Sequence, residues 1–334
     1  MGTVRNILLD NTQPEGENPI GNFTVELLGT QSSSNSASRR DLGFTGQLGG
    51  KWYAVYGDVL WCASGVTHPS EDTEGFHGMV RNAVSALTDD PLVVEDLHLN
   101  DDEPVPHQKQ FMPFNEDATG VLYYLVNDNE HYKGAGVAKI ELVDDAPTVT
   151  DRYGDHDIWW NGDELPKYGD VAAYRDVSSE YIYILGNPPN NIAEFPDNKY
   201  VYMARVRACD AFDLDMYEYW CGREQGWKSE PLTECNCETA VMWGVGQGQI
   251  VYNKYFETYF YVHLDLGGTV FLKTAPSPEG PWAEGKEIFK DEPIDGGLVY
   301  AGVAYPHLDE PGETLTIGFT NNNWIRVIKV NFTE

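Results

Sequence analysis

Positive charge is scarce in this chain: 22 Lys and Arg face 53 Asp and Glu across 334 residues, a formal net charge of −31. Binding nucleic acid takes basic patches that neutralise phosphates, and holding an anionic membrane takes polybasic segments. Neither is an expected partner, whereas neutral or cationic small ligands remain open. Long apolar runs are also missing. None approaches the ~20 residues of a membrane span, and Met1–Asp10 has no apolar core like that of a secretory signal. Two Asn-x-Thr sequons, Asn22-Phe23-Thr24 and Asn331-Phe332-Thr333, nevertheless fit a mature secreted protein. Secretion is therefore the expectation and the cytoplasm its alternative.

Cysteine is sparse. Five residues leave one unpaired if the others form disulfides. Cys209 and Cys221 flank the short polar segment Asp210–Trp220 and could bridge across it, while Cys235 and Cys237 are too close to pair comfortably with each other, although one could pair elsewhere. No His-rich spacing accompanies them, so neither a metal nor a cofactor is expected. Motifs of nucleophilic catalysis are absent too: there is no Gly-x-Ser-x-Gly elbow, and Cys62 follows Trp61 with His68 near it in sequence only. Val245–Gln249 is glycine-rich but lacks the Lys and Ser/Thr of a phosphate loop.

What the chain does have is strands. Lys51–Asp58, Gly120–Asp128, Glu180–Gly186, Thr258–Leu264 and Thr314–Thr320 are each rich in Tyr, Val, Ile, Phe and Leu, and four have a second such run soon after them: Gly136–Leu142, Lys199–Val206, Thr269–Ala275 and Trp324–Phe332. Units recurring roughly 55 to 80 residues apart indicate radial repetition of one small antiparallel sheet. A sheet of that size cannot bury both faces alone, so its copies pack around an axis. No Pro/Ser-rich linker divides the repeats. The expectation is an all-β chain forming one domain over residues 1–334, a five-bladed β-propeller. Its 20 Tyr and 9 Trp suit inter-blade packing and ligand-facing surfaces alike.

In a propeller the first strand of each blade lies against the axis. The candidates precede the central strands: Arg40–Thr45, His107–Phe111, Asp170–Arg175, Gly246–Val251 and Tyr300–His307. They carry Arg40, Asp41, His107, Gln108, Lys109, Asp170, Arg175, Gln247, Gln249, Tyr305 and His307, more polar than the strands that follow. Ionisable groups brought from several blades to one axis are what a site requires, although a water-filled axis with no chemistry would use the same residue types. Paired carboxylates across a cleft are the usual machinery of glycosidic cleavage. Asp41 and Asp170 come from the first and third units, and Asp58 ends the first central strand, beside Trp61. Trp61, Trp159 and Trp160 are the candidate faces for stacking a sugar ring. The acidic loop Tyr153–Asp170, with Asp155, His156, Asp157, Asp163 and Glu164, matches no metal-binding spacing. It reads as a solvated loop partly lidding the funnel, and Asn100–Glu103 as a solvated surface run.

Gly49-Gly50-Lys51-Trp52-Tyr53-Ala54-Val55-Tyr56-Gly57-Asp58, preceded by Asp41-Leu42-Gly43, resembles the opening blade of a family of glycosyl-hydrolase-like five-bladed propellers catalogued largely as a domain of unknown function. Tyr200–Val206 with Tyr217-Glu218-Tyr219-Trp220, and Leu272–Pro276 with Gly280-Pro281-Trp282, are similar as well, so the resemblance spans roughly residues 40 to 330. Some members degrade arabinan. The resemblance implies Asp41 and Asp58 as first-blade acid candidates. Two departures stand out: Val59 replaces the family's Thr after Gly-Asp, and the fourth axial strand offers Gln247 and Gln249 where a carboxylate would serve.

Three functions follow. The first is a glycoside hydrolase acting on a plant or microbial polysaccharide, with Asp41 as base or nucleophile, Asp170 as acid or pKa modulator, and Arg40, His107 and His307 orienting an oligosaccharide. The alternative is a fungal secondary-metabolism enzyme that dehydrates a terpenoid or polyketide and holds the product for hetero-Diels–Alder cycloaddition in an aromatic funnel. There Arg40, His107 or Asp170 would supply proton transfer and the funnel orientation. The third is a lectin-like binder, which the unequal repeats disfavour.

Overall fold

The computed structural model describes residues 18–35, 38–61, 78–80, 83–98, 109–113, 119–127 and 131–333. Five sheets follow one another along the chain, antiparallel apart from the short parallel pairing of Ser32–Ser33 with Val93 and Val94 at the edge of the first. The first blade is built on Ser38–Leu48, Lys51–Trp61, Ala83–Leu87 and Val93–His98, and the second on Lys109–Pro113, Thr119–Asn127, Tyr132–Val143 and Ala146–Tyr153. Lys167–Asp176, Tyr181–Asn187, Tyr200–Arg207 and Glu218–Trp220 make the third, and Gly248–Asn253, Thr258–Leu264, Thr269–Ala275 and Lys286–Lys290 the fourth. The fifth contains Val299–Ala304, Thr314–Asn321 and Trp324–Thr333, and its outer strand comes from far away in sequence: Asn22–Thr30, antiparallel to Trp324–Thr333. The leading strands of the five sheets touch one another in a closed circuit, first to second through to fifth and back to first. The molecule is a five-bladed β-propeller.

The central strands read as unbroken apolar runs because both of their faces are covered. Side chains alternate across a strand, and here each face meets a different neighbouring blade. Tyr53 and Val55 pack on Leu122, Tyr124 and Ile140 of the second blade, while Ala54 and Tyr56 pack on Tyr305, Ile325 and Val327 of the fifth. Ile182 and Ile184 likewise join the second blade's core, and Tyr183 and Leu185 join the fourth's. Phe260, Val262, Ile317 and Ile328 close the remaining interface. Each blade boundary thus has its own hydrophobic cluster, and burial of these side chains holds the ring shut.

Three axial strands lose register with their neighbours near their N-terminal ends. The breaks fall at Arg40/Leu42 and Leu42/Phe44 in the first blade, Tyr168/Ala172 in the third and Tyr300/Val303 in the fifth. Each contains left-handed backbone: Leu42 at φ 66°, Gly169 at φ 100° and Ala301 at φ 58°. Such bulges bend a strand and re-aim its side chains. At Gly169 the requirement for glycine is also steric, since a Cβ there would lie 2.5 Å from the Cβ of Tyr123.

Candidate active site

All five axial strands run the same way, so their N-terminal ends surround one mouth of the ring and their C-terminal ends the other. A cleft of about 780 Å³ opens at the first mouth, lined by Asp41, Asp58, Tyr132, Asn187, Lys199, Trp243, Gln247, Asp265 and Tyr300 among others. A hollow of about 540 Å³ adjoins it, sharing Tyr132, Asn187, Lys199 and Gln247, and reaches Lys167 and Asp170. The three bulges deliver Asp41, Asp170 and Tyr300 to this end. The fourth blade contributes Gln247, one residue ahead of its axial strand.

Asp41 packs directly on backbone: a Cβ at Gly57 would come 2.4 Å from its Oδ1. The Tyr300 hydroxyl donates to Asp41 Oδ2 at 2.5 Å. Burial pushes the Asp41 carboxyl up to about 6, and the nearby Asp58 carboxylate adds to the rise. The Tyr300 hydrogen bond and the Asp58 and Gly57 amides oppose it. Burial and the neighbouring carboxylate keep the Tyr300 phenol protonated, and therefore a donor.

Asp170 is 3% exposed. Its two oxygens accept from the backbone N–H and the Nδ2 of Asn187, both at 2.9 Å. Burial again dominates and raises the carboxyl to about 6, against the Lys167 ammonium and the Asn187 donors. Gln247 Nε2 donates to the Asp170 carbonyl at 3.1 Å, tying the third blade to the fourth. Two carboxyl groups whose pKa values are raised to about 6 are suited to proton transfer in mildly acidic solution. Around them the rim is apolar: Leu266, Leu298 and Phe195 are 76%, 63% and 60% exposed.

Several residues expected at this mouth lie elsewhere. Arg40 points into its own blade. Its Nη1 bonds Asp96 Oδ1 at 2.6 Å and Ser85 at 3.0 Å, with the guanidinium over the Tyr56 ring, because neighbours on a strand face opposite ways. Arg175 comes late in its strand and, with Gln249 near the start of the fourth blade's axial strand, lines a pocket at the opposite mouth. Tyr305 is buried, its hydroxyl accepting from Gln31 Nε2, and His307 stacks on Trp52 with ring centres 5.2 Å apart. Trp160, 1% exposed, belongs to the core between the second and third blades and donates to the Tyr219 hydroxyl. Trp159 packs edge-on to Tyr217 beside it. Neither tryptophan lines the cleft, and the expected lid Tyr153–Asp170 is not a free loop: Trp160–Asn161 forms a short strand against Gly134 and Ala135, and Lys167–Asp170 opens the third axial strand. Cys209, Cys221, Cys235 and Cys237 are all free thiols, so the expected Cys209–Cys221 bridge is absent. His107, Gln108, Cys62, His68 and Asn100–Glu103 lie outside the described residues, as does the side chain of Trp61. Among the described residues no group of three or more His, Cys, Asp or Glu converges as a metal site.

Tyr300, Lys199, Asn187 and Trp243 were not singled out from the sequence. A signal for the site was present: Asp41-Leu42-Gly43, Gly169-Asp170, Gly246-Gln247-Gly248 and Tyr300-Ala301-Gly302 each set a glycine beside a cleft residue.

A family model described as "Domain of unknown function (DUF4185)" matches residues 144–330, more than half of the chain. The chain belongs to the DUF4185 family. No curated protein matches it. Solved structures resemble this DUF4185 propeller over most of its length. A Bacteroides ovatus protein superposes with a TM-score of 0.60 at 16% identity, covering 91% of this chain and 87% of that one. A GH43 β-xylosidase/α-arabinofuranosidase from a compost microbial metagenome, in complex with xylotriose, gives 0.54 at 15%, covering 92% and 95%. The GH43_1 enzyme from Xanthomonas citri gives 0.52 at 13%, covering 92% and 90%. The DUF4185 chain thus has the five-bladed propeller fold of glycoside hydrolases.

Proposed function

We propose that this propeller is a glycoside hydrolase that cleaves an oligosaccharide or glycoside in the cleft at the N-terminal ends of its axial strands. The observation that carries the reading is the pair of carboxyl groups, Asp41 and Asp170, delivered to one mouth from different blades and each raised to about 6. The GH43 β-xylosidase/α-arabinofuranosidase and its bound xylotriose support a saccharide as the ligand. Asp41, ionised and oriented by Tyr300, takes a proton from water as the water oxygen bonds to the anomeric carbon. Asp170 gives its proton to the glycosidic oxygen as that C–O bond breaks. Asp58, beside Asp41, contributes to the rise of the Asp41 carboxyl and so sustains its basicity. Lys199 and Asn187 supply donors for sugar hydroxyls, and Trp243 an apolar face.

The test is release of sugar or aglycone from a panel of aryl arabinosides, xylosides and galactosides and their oligosaccharides. Asp41→Asn is expected to lower the rate by about 10²–10⁴-fold, the usual contribution of a positioned base. Equal release by the variant, or none from any substrate by the wild type, refutes the assignment.

A second reading has one observation in its favour. The fourth blade presents Gln247, an amide that transfers no proton, and the rim residues Leu266, Leu298 and Phe195 are apolar. Acid-catalysed dehydration of a hydroxylated terpenoid or polyketide, followed by cycloaddition, needs one proton donor and an apolar wall rather than a complete hydrolytic set. Turnover of such a precursor, with no glycoside cleaved, is the outcome that selects it.

A further inference from the structure

At the other end of the axis the ring has a second pocket, of about 350 Å³. It is walled by Trp52, Tyr174, Ile250, Tyr252 and Leu315, and Gln249 lies among them. That volume is at the lower end of the range for small-molecule sites. Gln249 is 5% exposed. Its Nε2 donates to Thr45 Oγ1 at 2.8 Å, and Thr45 in turn donates to the Ala304 carbonyl at 2.9 Å. This chain holds the amide in place, yet Gln249 Oε1 has no hydrogen-bond partner. A buried polar atom left unmatched costs about 1–3 kcal/mol, and a ligand hydroxyl that donates to Oε1 removes that cost.

The charges around the pocket are committed to protein partners. Lys254 pairs with Glu310 at 3.4 Å. Arg175 donates to the carbonyls of Asp176 at 2.6 Å and Tyr181 at 3.3 Å. Asp309 accepts from the Thr314 hydroxyl and from the Thr316 N–H, both at 2.5 Å. An ionic ligand would find no unmatched counter-charge among these groups, whereas a flat neutral ring would find aromatic walls and one fixed, unfilled acceptor.

We infer that the mouth opposite the proposed active site is a second binding site, for a neutral hydroxylated aromatic compound of one or two rings that hydrogen-bonds Gln249 and stacks between Trp52 and Tyr252. The site is independent of the proposed hydrolysis.

Calorimetric titration of the whole protein with 4-ethylphenol and with 4-ethylanisole tests it, since the methyl ether keeps the shape and removes the donor. Wild type should bind the phenol about five- to tenfold more tightly, as one net hydrogen bond implies. Gln249→Leu should abolish that preference while still binding the ether. Tyr252→Ala alters a wall residue that is 45% exposed, so folding is preserved, and should weaken both ligands at least threefold. Equal affinity for the two compounds in wild type overturns the inference, as does absence of saturable binding at millimolar concentration. A preference that persists in a folded Gln249→Leu protein overturns it too. If that variant does not fold, Tyr252→Ala decides, and unchanged affinity there refutes the site. Binding that survives Tyr252→Ala but is lost in Trp243→Ala would move the ligand to the first mouth and equally refute it.

Discussion

Replacing Asp41 by Asn should stabilise the protein, and by an amount that depends on pH. In the folded state the carboxyl is pushed from 3.8 to about 6, a displacement of roughly two units, or about 3 kcal/mol at 1.36 kcal/mol per unit. The sign follows from which state holds the proton. Below pH 4 both folded and unfolded chains carry it, and the aspartate costs nothing. Between pH 4 and 6 the unfolded chain ionises while the folded one must either keep its proton or bury a charge, so stability falls as pH rises. Above about pH 6 the cost is constant. An amide of the same shape has no such dependence, and carboxylates remote from Asp41 titrate alike in both proteins and cancel from the difference. Urea unfolding of wild type and Asp41→Asn at half-unit steps from pH 4 to 8 therefore gives two curves that nearly coincide at pH 4. By pH 7 they should separate to about 3 kcal/mol in the variant's favour. A difference that stays flat within about 0.5 kcal/mol, or one that turns against the variant as pH rises, would show that Asp41 is not held out of water as described.

Two further outcomes follow from named contacts. Tyr300→Phe removes a donor to the ionised Asp41, a hydrogen bond to charge worth about 1.5–3 kcal/mol, so the acidic limb of the pH–rate profile should move up by about one to two units; an unmoved limb would mean that Asp41 is not the base. Asp96→Ala leaves the Arg40 guanidinium buried without its carboxylate and should cost about 3–5 kcal/mol in urea unfolding, whereas a loss under about 1 kcal/mol would show that water reaches Arg40.

The strands were legible in the sequence because each central one is covered on both faces, and a strand so placed has no polar side to interrupt it. Thr258–Leu264 and Thr269–Ala275 have the same bounds in sequence and structure, and each of the five axial segments overlaps an axial strand, although Gly246, Gln247 and Tyr305–His307 lie beyond the strand ends and His107 and Gln108 outside the described residues. The mouth to which each polar residue belongs was harder to read. Asp170 and Arg175 share a strand, yet five residues at about 3.3 Å each carry the chain from one end of the ring to the other. Arg40 and Asp41 differ by the opposite rule, since adjacent side chains leave a strand on opposite faces. Trp160 misled for another reason. It sits among Asp, His and Asn in what reads as a solvated loop, and only its pairing with Ala135 turns it into the core. The bulges were the deeper omission. A residue re-aimed by a left-handed neighbour such as Leu42 or Ala301 leaves no mark in hydrophobic periodicity, and the glycine that accompanies each one is a weak sign by itself.

The closing of the fifth blade by Asn22–Thr30 has a kinetic side. That strand has its partner in Trp324–Thr333, about 300 positions away, and long-range pairings of this kind slow folding because the loop entropy is lost before the contact forms. Until it forms, Trp324–Thr333 presents an open edge and Asn22–Thr30 has no sheet to join, a state prone to pairing with other chains. The ring therefore behaves as a clasp with a single catch. Shortening the chain by its last strand would undo two strands, one at each end, and release the circle that keeps Asp41, Asp170 and Tyr300 facing a common space.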